Sequence, residues 1–366
     1  MKISSVEIYR FSIPMVPFSI ATGTMDYAQN IFIRVQTDKN IYGVGECSAF
    51  PMIVGETQDT CLAMAKEFSG LWIGKDPLDI KERLLELDLF TAKNSTIKSA
   101  FDMALYDLAA KDAGKPLYQY LGGTPRKVET DITIGIDTPG HMAKQALNFV
   151  SNGARILKVK LGKNAEEDIL RIKSIREAIG SGIMIRIDAN QGWEPAEVKH
   201  ILQELAVYNI EFCEQPLRSW YDDLLPELVA TSPIAIMVDE SCYNHHDARR
   251  LMKQKACNSI NIKFSKSGGI SEAMEIYNLA TEMSVPCMIG GMLESRIALS
   301  AKLHFAYACP QINYFDLDTC LLGHLEDPCI GGAVYSNYHL SINDNPGIGA
   351  DASETFLKNC ELVKIC

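Results

Sequence analysis

The sequence lacks the marks of several large protein classes. No run approaches the ~18 uninterrupted apolar residues of a membrane-spanning helix. The opening MKISSVEIYRFSIPM has one early lysine but no apolar stretch of signal-peptide type, because Glu7 and Arg10 interrupt it. None of the eleven cysteines belongs to a CxxC pair, and an odd, unpatterned set fits reduced, buried thiols in a cytoplasm. Positive charge is the scarcer sign, with 35 Lys and Arg against 46 Asp and Glu, a net charge of −11. So acidic a chain is poorly suited to gripping nucleic acid, and its surface charge mostly confers solubility. Low-complexity tracts are absent. What is left is a chain of 366 residues, 47% hydrophobic and 22% charged, which is ordinary for a globular protein of about two domains at ~150 residues each. The expected setting is cytoplasmic, with neither a membrane nor a nucleic acid as partner; assembly into a homo-oligomer is left open.

The first ~125 residues and the rest read differently. VEIYRFSI (6–13), IFIRVQT (31–37) and IYGVGEC (41–47) are strand-like, the last two separated by the turn residues Asp38-Lys39-Asn40. Ile97, Ala100, Phe101, Ala104, Leu105 and Leu108 then recur at helical spacing, with Ser95 as expected N-cap and Gly114 and Pro116 as the stop. Residues 1–125 are thus expected to form a small α+β domain. From about residue 130, eight short apolar strands recur: ITIGI (132–136), ILKVKL (156–161), IMIRI (183–187), NIEFC (209–213), IAIMV (234–238), SINI (259–262), VPCMI (285–289) and NYFDL (313–317). Helical stretches lie between them, and a repeat of roughly 25 residues predicts a (β/α)8 barrel over 126–320. An open doubly wound sheet is the alternative, but no strand is followed by the Gly-rich phosphate turn it would usually carry. Residues 321–366 break the rhythm; the alternating run Val334, Tyr338, Leu340, Ile342 is expected to return toward the first domain.

In such a barrel the chemistry gathers at the C-terminal ends of the strands. Lys160, Asp188, Glu214, Asp239 and Lys263 follow one another at gaps of 28, 26, 25 and 24 residues, each about one βα unit. A single carboxylate after an apolar strand is ordinarily a helix N-cap or a loop residue. Three on consecutive strands and in phase would repel one another unless a cation lay between them. Asp188, Glu214 and Asp239 offer hard oxygen ligands with no Cys or His, which selects one Mg2+ or Mn2+ per chain. Lys158 and Lys160 share a strand face, with Leu157, Val159 and Leu161 on the other. Lys263 ends the sixth strand, opposite the second. Two lysines on either side of a divalent cation suit a two-base proton transfer. Asp316 and Asp318, two apart on the eighth strand, can clamp a cationic group such as a substrate ammonium; the competing reading makes one an N-cap and the other a partner of Arg186 or Arg296.

These segments resemble the enolase superfamily in its muconate-lactonizing branch. LKVKLG (157–162) is similar to the KxK motif, and IDANQGW (187–193), EFCEQPL (211–217) and MVDES (237–241) resemble the three metal-ligand segments. NIKFSKSGGI (261–270) resembles the sixth-strand lysine segment, and IYGVGEC with residues 97–123 looks like the capping domain. YFDLDT (314–319) is similar to the DxD motif of dipeptide epimerases. The resemblance covers nearly the whole chain. It implies an isomerase that inverts the α-carbon of the C-terminal residue of a dipeptide. Mg2+ would sit on Asp188, Glu214 and Asp239, with Lys160 and Lys263 as bases. Lys158 would help stabilise the enolate, and Asp316 and Asp318 would hold the amino group. Thr133 would touch the substrate carboxylate, unless it is an ordinary strand threonine. Lys266, beyond the strand end, is the lesser choice for the second base. A cycloisomerase, a succinylbenzoate synthase or an N-acylamino acid racemase shares much of this set.

Specificity is expected from a loop of the capping domain, VPFSIATGTMDYAQN (16–30). It holds no Lys, Arg or His to pair an acidic side chain, and a buried carboxylate without a partner is costly. A neutral or hydrophobic substrate side chain, packed by Phe18, Ile20, Met25 or Tyr27, is therefore expected. An L-Ala-D/L-Glu epimerase is the alternative if Arg296 or another cation reaches the site.

Overall fold

The computed structural model describes residues 1–366. Period-two alternation builds its first layer. Strands β1 (Ile3–Ile20), β2 (Gly23–Thr37) and β3 (Tyr42–Ser48) form an antiparallel sheet, and Leu362–Ile365 pairs along the outer side of β1. Helices α1 (Pro51–Val54), α2 (Gln58–Trp72), α3 (Ile80–Phe90) and α4 (Ser95–Asp112) follow. Val6, Ile8, Ile31, Ile33 and Val35 share one sheet face, and Phe68, Trp72, Phe101 and Leu105 of α2 and α4 bury it. Contact between α4 and β3 is close: a Cβ at Gly43 would lie 2.0 Å from the Ala104 carbonyl oxygen, and one at Gly45 1.9 Å from that of Ala100. The two glycines of IYGVGEC are there because backbone packs on backbone.

Three local expectations are corrected. Ser95 is the first helical residue of α4, not its cap. Asn94 holds the cap position at φ +55° without a side-chain bond, and the buried Glu56 accepts from the Thr96 amide at 2.9 Å instead. Residues 16–30 are not a loop but the far end of the β1–β2 hairpin, paired Phe18 to Met25, Ser19 to Thr24 and Ile20 to Gly23. The register shifts between Pro14 and Phe18, and pairing then resumes to the tip. The alternating run near 334–342 is a separate hairpin, Val334–Ser336 with His339–Ser341, that pairs with Val128–Glu129. The first sheet is reached instead by Asp351, Glu354 and Phe356, which contact Arg34, Tyr42 and Phe11, and by Leu362–Ile365, which pairs with β1.

The eight barrel strands run parallel in chain order: Ile132–Ile134, Ile156–Lys160, Met184–Asp188, Ile210–Glu214, Ile236–Val238, Ser259–Ile262, Cys287–Gly290 and Ile312–Asp316. All eight predicted strands are present, displaced by a residue or two. The ring closes between first and last through the Asp131 amide to the Phe315 carbonyl at 3.2 Å and the Leu317 amide to the Thr130 hydroxyl at 2.8 Å. The fold is a (β/α)8 barrel with an α+β cap.

Buried carboxylates join the cap to barrel-helix N-termini. Glu46 of β3 accepts from the Ser295 amide at 2.9 Å, the Ser295 hydroxyl at 2.6 Å and the Ala298 amide at 3.1 Å. Asp102 of α4 accepts from the Ile270 amide at 2.5 Å and the Ser271 amide at 3.1 Å. Burial pushes both carboxyls up to about 7, and the N–H donors oppose it. These joints orient the cap over the C-terminal ends of the barrel strands.

Gly45→Ala should therefore destabilise the protein by roughly 1–3 kcal/mol or more, since neither backbone can retreat. Urea unfolding of the variant against the parent measures it. An unchanged midpoint would contradict the close packing of α4 on β3.

Candidate functional site

Parallel register does the first work of assembly. Lys160 lies beside Asp188, and Asp188 beside Glu214, at one level where the second, third and fourth barrel strands end. Asp239 follows the fifth strand directly and Lys263 the sixth. Leu157 and Val159 are fully buried outside the ring, so Lys158 and Lys160 point inward.

Ion pairs bind this level together. The Lys160 Nζ is 2.6 Å from Asp188 Oδ2, and the Lys263 Nζ 2.7 Å from Asp239 Oδ2. Lys158 sits one layer deeper, 2.7 Å from Glu214 Oε2, 2.8 Å from Asp316 Oδ2 and 3.3 Å from Asp188 Oδ2. It is wholly buried and does not line the cavity above it. Three carboxylates hold its ammonium inside the ring, among the strand-end acids. Burial works against charge on each group. The lysines nevertheless hold Asp188 and Asp239 below the ordinary carboxylate range, while Glu214, beside Asp188, is pushed up. Asp239 and Glu214 raise Lys263 against the burial that would lower it.

The oxygens around these carboxylates fit a hard divalent cation. Glu214 Oε2, Glu240 Oε2, Asn190 Oδ1 and Asn261 Oδ1 are buried without a hydrogen-bond partner, although Lys158 pairs electrostatically with the first. Burial and the charges of Asp239, Asp188 and Glu214 push Glu240 up to about 8. Several unsatisfied oxygens and no sulfur or imidazole in the set select Mg2+ or Mn2+. The pattern of strand-end acids missed Asn190 and Asn261. Asn261 was within reach of the same reasoning, because it stands two residues before Lys263 on one strand.

A second acidic group closes the ring. Asp131, Asp316 and Asp318 bring ligand oxygens within 4.8 Å of one another, which also suits a cation. Asp131 pairs with Arg186 at 2.8 Å, Asp316 pairs with Lys158, and Asp318 accepts from the Thr133 amide at 2.6 Å. Arg186 therefore serves Asp131 and Glu211, and Arg296 serves Asp327 at 2.7 Å; neither holds Asp316 or Asp318. Three buried acids thus face two cations. Burial and the neighbouring Asp316 and Asp131 push Asp318 well up, whereas Lys158 overcomes burial and keeps Asp316 low. Both cations are shared with acids outside the cluster, Lys158 with Glu214 and Asp188 and Arg186 with Glu211.

Part of this ring opens on a cavity, which Asp188, Glu214 and Asp239 do not themselves line. Lys160, Lys263, Thr133, Asp316 and Asp318 line it, so these five predicted residues meet in one space. The opposite wall is apolar: Phe18, Ile20 and Met25 from the hairpin arm, Phe50 and Ile53 around α1, and Met292, Leu293 and Leu322 from barrel loops. Tyr27 is half-exposed and lies outside this wall. The loop residues were not legible in advance, since no periodicity places a loop. Lys266 does not reach the cavity; it is fully buried, with its Nζ 2.7 Å from Asp239 Oδ1. The cavity-facing lysine of NIKFSK is Lys263.

Residues 4–122 match the family described as mandelate racemase/muconate lactonizing enzyme, N-terminal domain, and residues 141–356 match the enolase C-terminal domain-like family. The D-Ala-D/L-Ala epimerase of Cytophaga hutchinsonii is 42% identical over 369 residues, covering all of both chains. The crystal structure of the dipeptide epimerase from C. hutchinsonii, complexed with Mg and D-Ala-L-Val, superposes with a TM-score of 0.98 at 41% identity over the full length of each. That of Enterococcus faecalis V583, complexed with Mg and L-Leu-L-Tyr, gives 0.92 at 37% identity, over 96% of this chain and 99% of that one. A capped barrel whose two parts each match their own family domain, and whose relatives align from end to end, leads to one conclusion: the chain belongs to the mandelate racemase/muconate lactonizing enzyme family of the enolase superfamily.

Proposed function

We propose that this protein is a dipeptide epimerase, an isomerase that inverts the α-carbon of the C-terminal residue of a dipeptide by a 1,1-proton transfer between two lysines. One observation carries the reading. Lys160 and Lys263 enter the same cavity from the second and sixth of eight strands, and so face each other across it.

In this mechanism the dipeptide binds with its free amino group at Asp316 and Asp318, the two carboxylates that line the cavity. Its carboxylate lies toward Asp188, Glu214 and Asp239, the residues that would hold Mg2+ or Mn2+. The metal, when bound, supplies the charge that an enolate of a carboxylate requires, and it shares the acids that otherwise raise Lys263. Thr133 borders the same end of the cavity. With an L-configured residue, neutral Lys160 takes the α-proton, and the C–H electron pair moves into the carboxylate as an enolate. Lys263, as an ammonium, returns a proton to the opposite face. Lys158 adds positive charge from below. Residues 1–125 act as the specificity cap, with the arm at 16–30; residues 126–320 carry the chemistry; and 321–366 tie the barrel back to the cap. All eleven cysteines are free thiols, which supports a reducing, cytoplasmic setting. No helix is long and apolar enough to cross a membrane.

The cavity also supports neutral side chains as substrates. Its only cations are Lys160 and Lys263, both engaged in the transfer, and the rest of its side-chain wall is largely hydrocarbon. Relatives that act on D-Ala-D/L-Ala, or that bind D-Ala-L-Val and L-Leu-L-Tyr, agree with this.

Three measurements test the reading. Lys160→Ala and Lys263→Ala should each lower epimerisation by about 10²–10⁴-fold, the usual contribution of a positioned acid or base. Solvent-deuterium incorporation read by mass spectrometry reports it, and full activity in either variant would end the two-base mechanism. Blocking the dipeptide amino group by acetylation, or replacing Asp318→Asn, should cost about 10- to 100-fold in kcat/KM, as loss of a charged hydrogen bond does. Equal turnover of acetylated substrates would instead favour N-acylamino acid racemisation. In a panel of alanyl dipeptides, Ala-Leu and Ala-Val should outrun Ala-Glu; a preference for Ala-Glu would reverse the side-chain assignment.

A further inference from the structure

The cavity wall is thin at one place. Helix α1 is a single turn of four residues, its N-cap Phe50 makes no capping bond, and Gly55 ends it at φ +77°. Phe50 and Ile53 face the active cavity. Pro51, Ile53, Val54 and Gly55 face a second, solvent-open cleft along the seam between cap and barrel. One turn of helix therefore separates the active cavity from a larger cleft.

The segment is anchored on both sides. Upstream, the Ser48 amide donates to the Ser265 hydroxyl at 3.1 Å and the Ala49 amide to the Gln29 carbonyl at 2.9 Å. Downstream, Glu56 holds the Thr96 amide. Between these points the hydrogen bonds of residues 50–55 are internal to the turn, from the amides of Ile53 and Val54 to Phe50 and from Gly55 to Pro51. The one exception is the Tyr243 hydroxyl, which donates to the Ile53 carbonyl. Tyr243 is itself held firmly, just past Asp239 on the fifth βα loop. Its amide donates to Asp247 Oδ2 at 3.1 Å, and the Lys266 Nζ lies 5.8 Å from its ring centroid.

We propose that Tyr243 is a specificity-determining positioning residue: by latching Ile53 it keeps α1 from retreating into the seam cleft and so limits the size of the substrate side chain. The proposal rests on the dipeptide reading given above. With the latch in place, Ile53 packs a small side chain against Met25 and Met292 in a space too tight for loss of contact. Without it, the turn swings on its two anchored ends, small substrates lose a wall, and bulky ones gain room.

The test uses the full-length protein and Tyr243→Phe, which removes one oxygen and keeps the ring. kcat/KM for Ala-Ala, in both configurations of the N-terminal residue, should fall about three- to tenfold, mainly through KM, as expected for one net hydrogen bond. kcat/KM for Ala-Tyr should hold or rise. Ile53→Ala, which cuts the same wall back directly, should shift the preference in the same direction. Amide hydrogen exchange of residues 52–55 should quicken in Tyr243→Phe while the rest of the chain is unchanged. An equal fall across the panel, the mark of a merely structural role, overturns the proposal. So does unchanged exchange at 52–55. If the parent protein exchanges the α-proton of no dipeptide, the functional reading fails, and the amide exchange alone then decides whether the latch exists.

Discussion

Like charge in a confined space is the constraint on which the rest of this structure depends. Parallel strand register delivers Asp188 and Glu214 to one buried level, Asp239 follows just past the next strand, and Asp131, Asp316 and Asp318 gather in another part of the same ring. Six carboxylates away from water cannot be left to themselves. Lys158, Lys160, Lys263, Lys266 and Arg186 enter between them, and nearly every short contact at the strand ends joins an acid to a base. The same compensation makes the site responsive. A divalent cation would not enter an inert pocket; it would enter a balance that is already tight and displace charge within it.

The cap and barrel meet under the same rule. Glu46 and Asp102 are buried acids whose partners are the amides at the starts of barrel helices, not side-chain cations. Helix N-termini carry partial positive charge, so a carboxylate there satisfies amides that would otherwise be orphaned. Through Ser295 the Glu46 contact also reaches the turn bearing Met292 and Leu293, two residues of the cavity wall. Asn30 reinforces it by donating to the Leu293 carbonyl at 2.9 Å. Orientation of the cap and shape of the pocket are thus set by one cluster of hydrogen bonds.

Much of this was legible in the amino-acid sequence because regular structure leaves a regular trace. Eight apolar strands at a constant interval, with an ionisable residue at the end of most, place the barrel and its charged rim together. Period-two reasoning put Lys158 and Lys160 on one face but could not say how deep each lies; neighbouring acids decide that. The region 16–30 reads as a loop because Pro17, Gly23 and the polar residues of the arm blur its alternation, yet cross-strand pairing carries the hairpin to its end. Phe50, Ile53, Leu293 and Leu322 were not foreseeable, since they arrive from irregular segments whose positions only the packed molecule defines. Asn261 leaves no charge signal, being a neutral amide whose role comes from its neighbours Glu214 and Lys266.

The hairpin arm has a consequence for how such binding pockets diversify. Phe18 and Ile20 lie on the face that meets the cavity, while Ser19 turns away and bonds Thr24 at 2.7 Å. Along a strand, greasy and hydroxylated residues simply alternate. Deleting or inserting a single codon before the tip would rotate the whole arm by half a period, presenting the hydroxyl row where the hydrocarbon row now stands. A lineage built on this scaffold can therefore exchange one entire surface for its opposite in a single event, leaving the proton-handling groups on the barrel untouched.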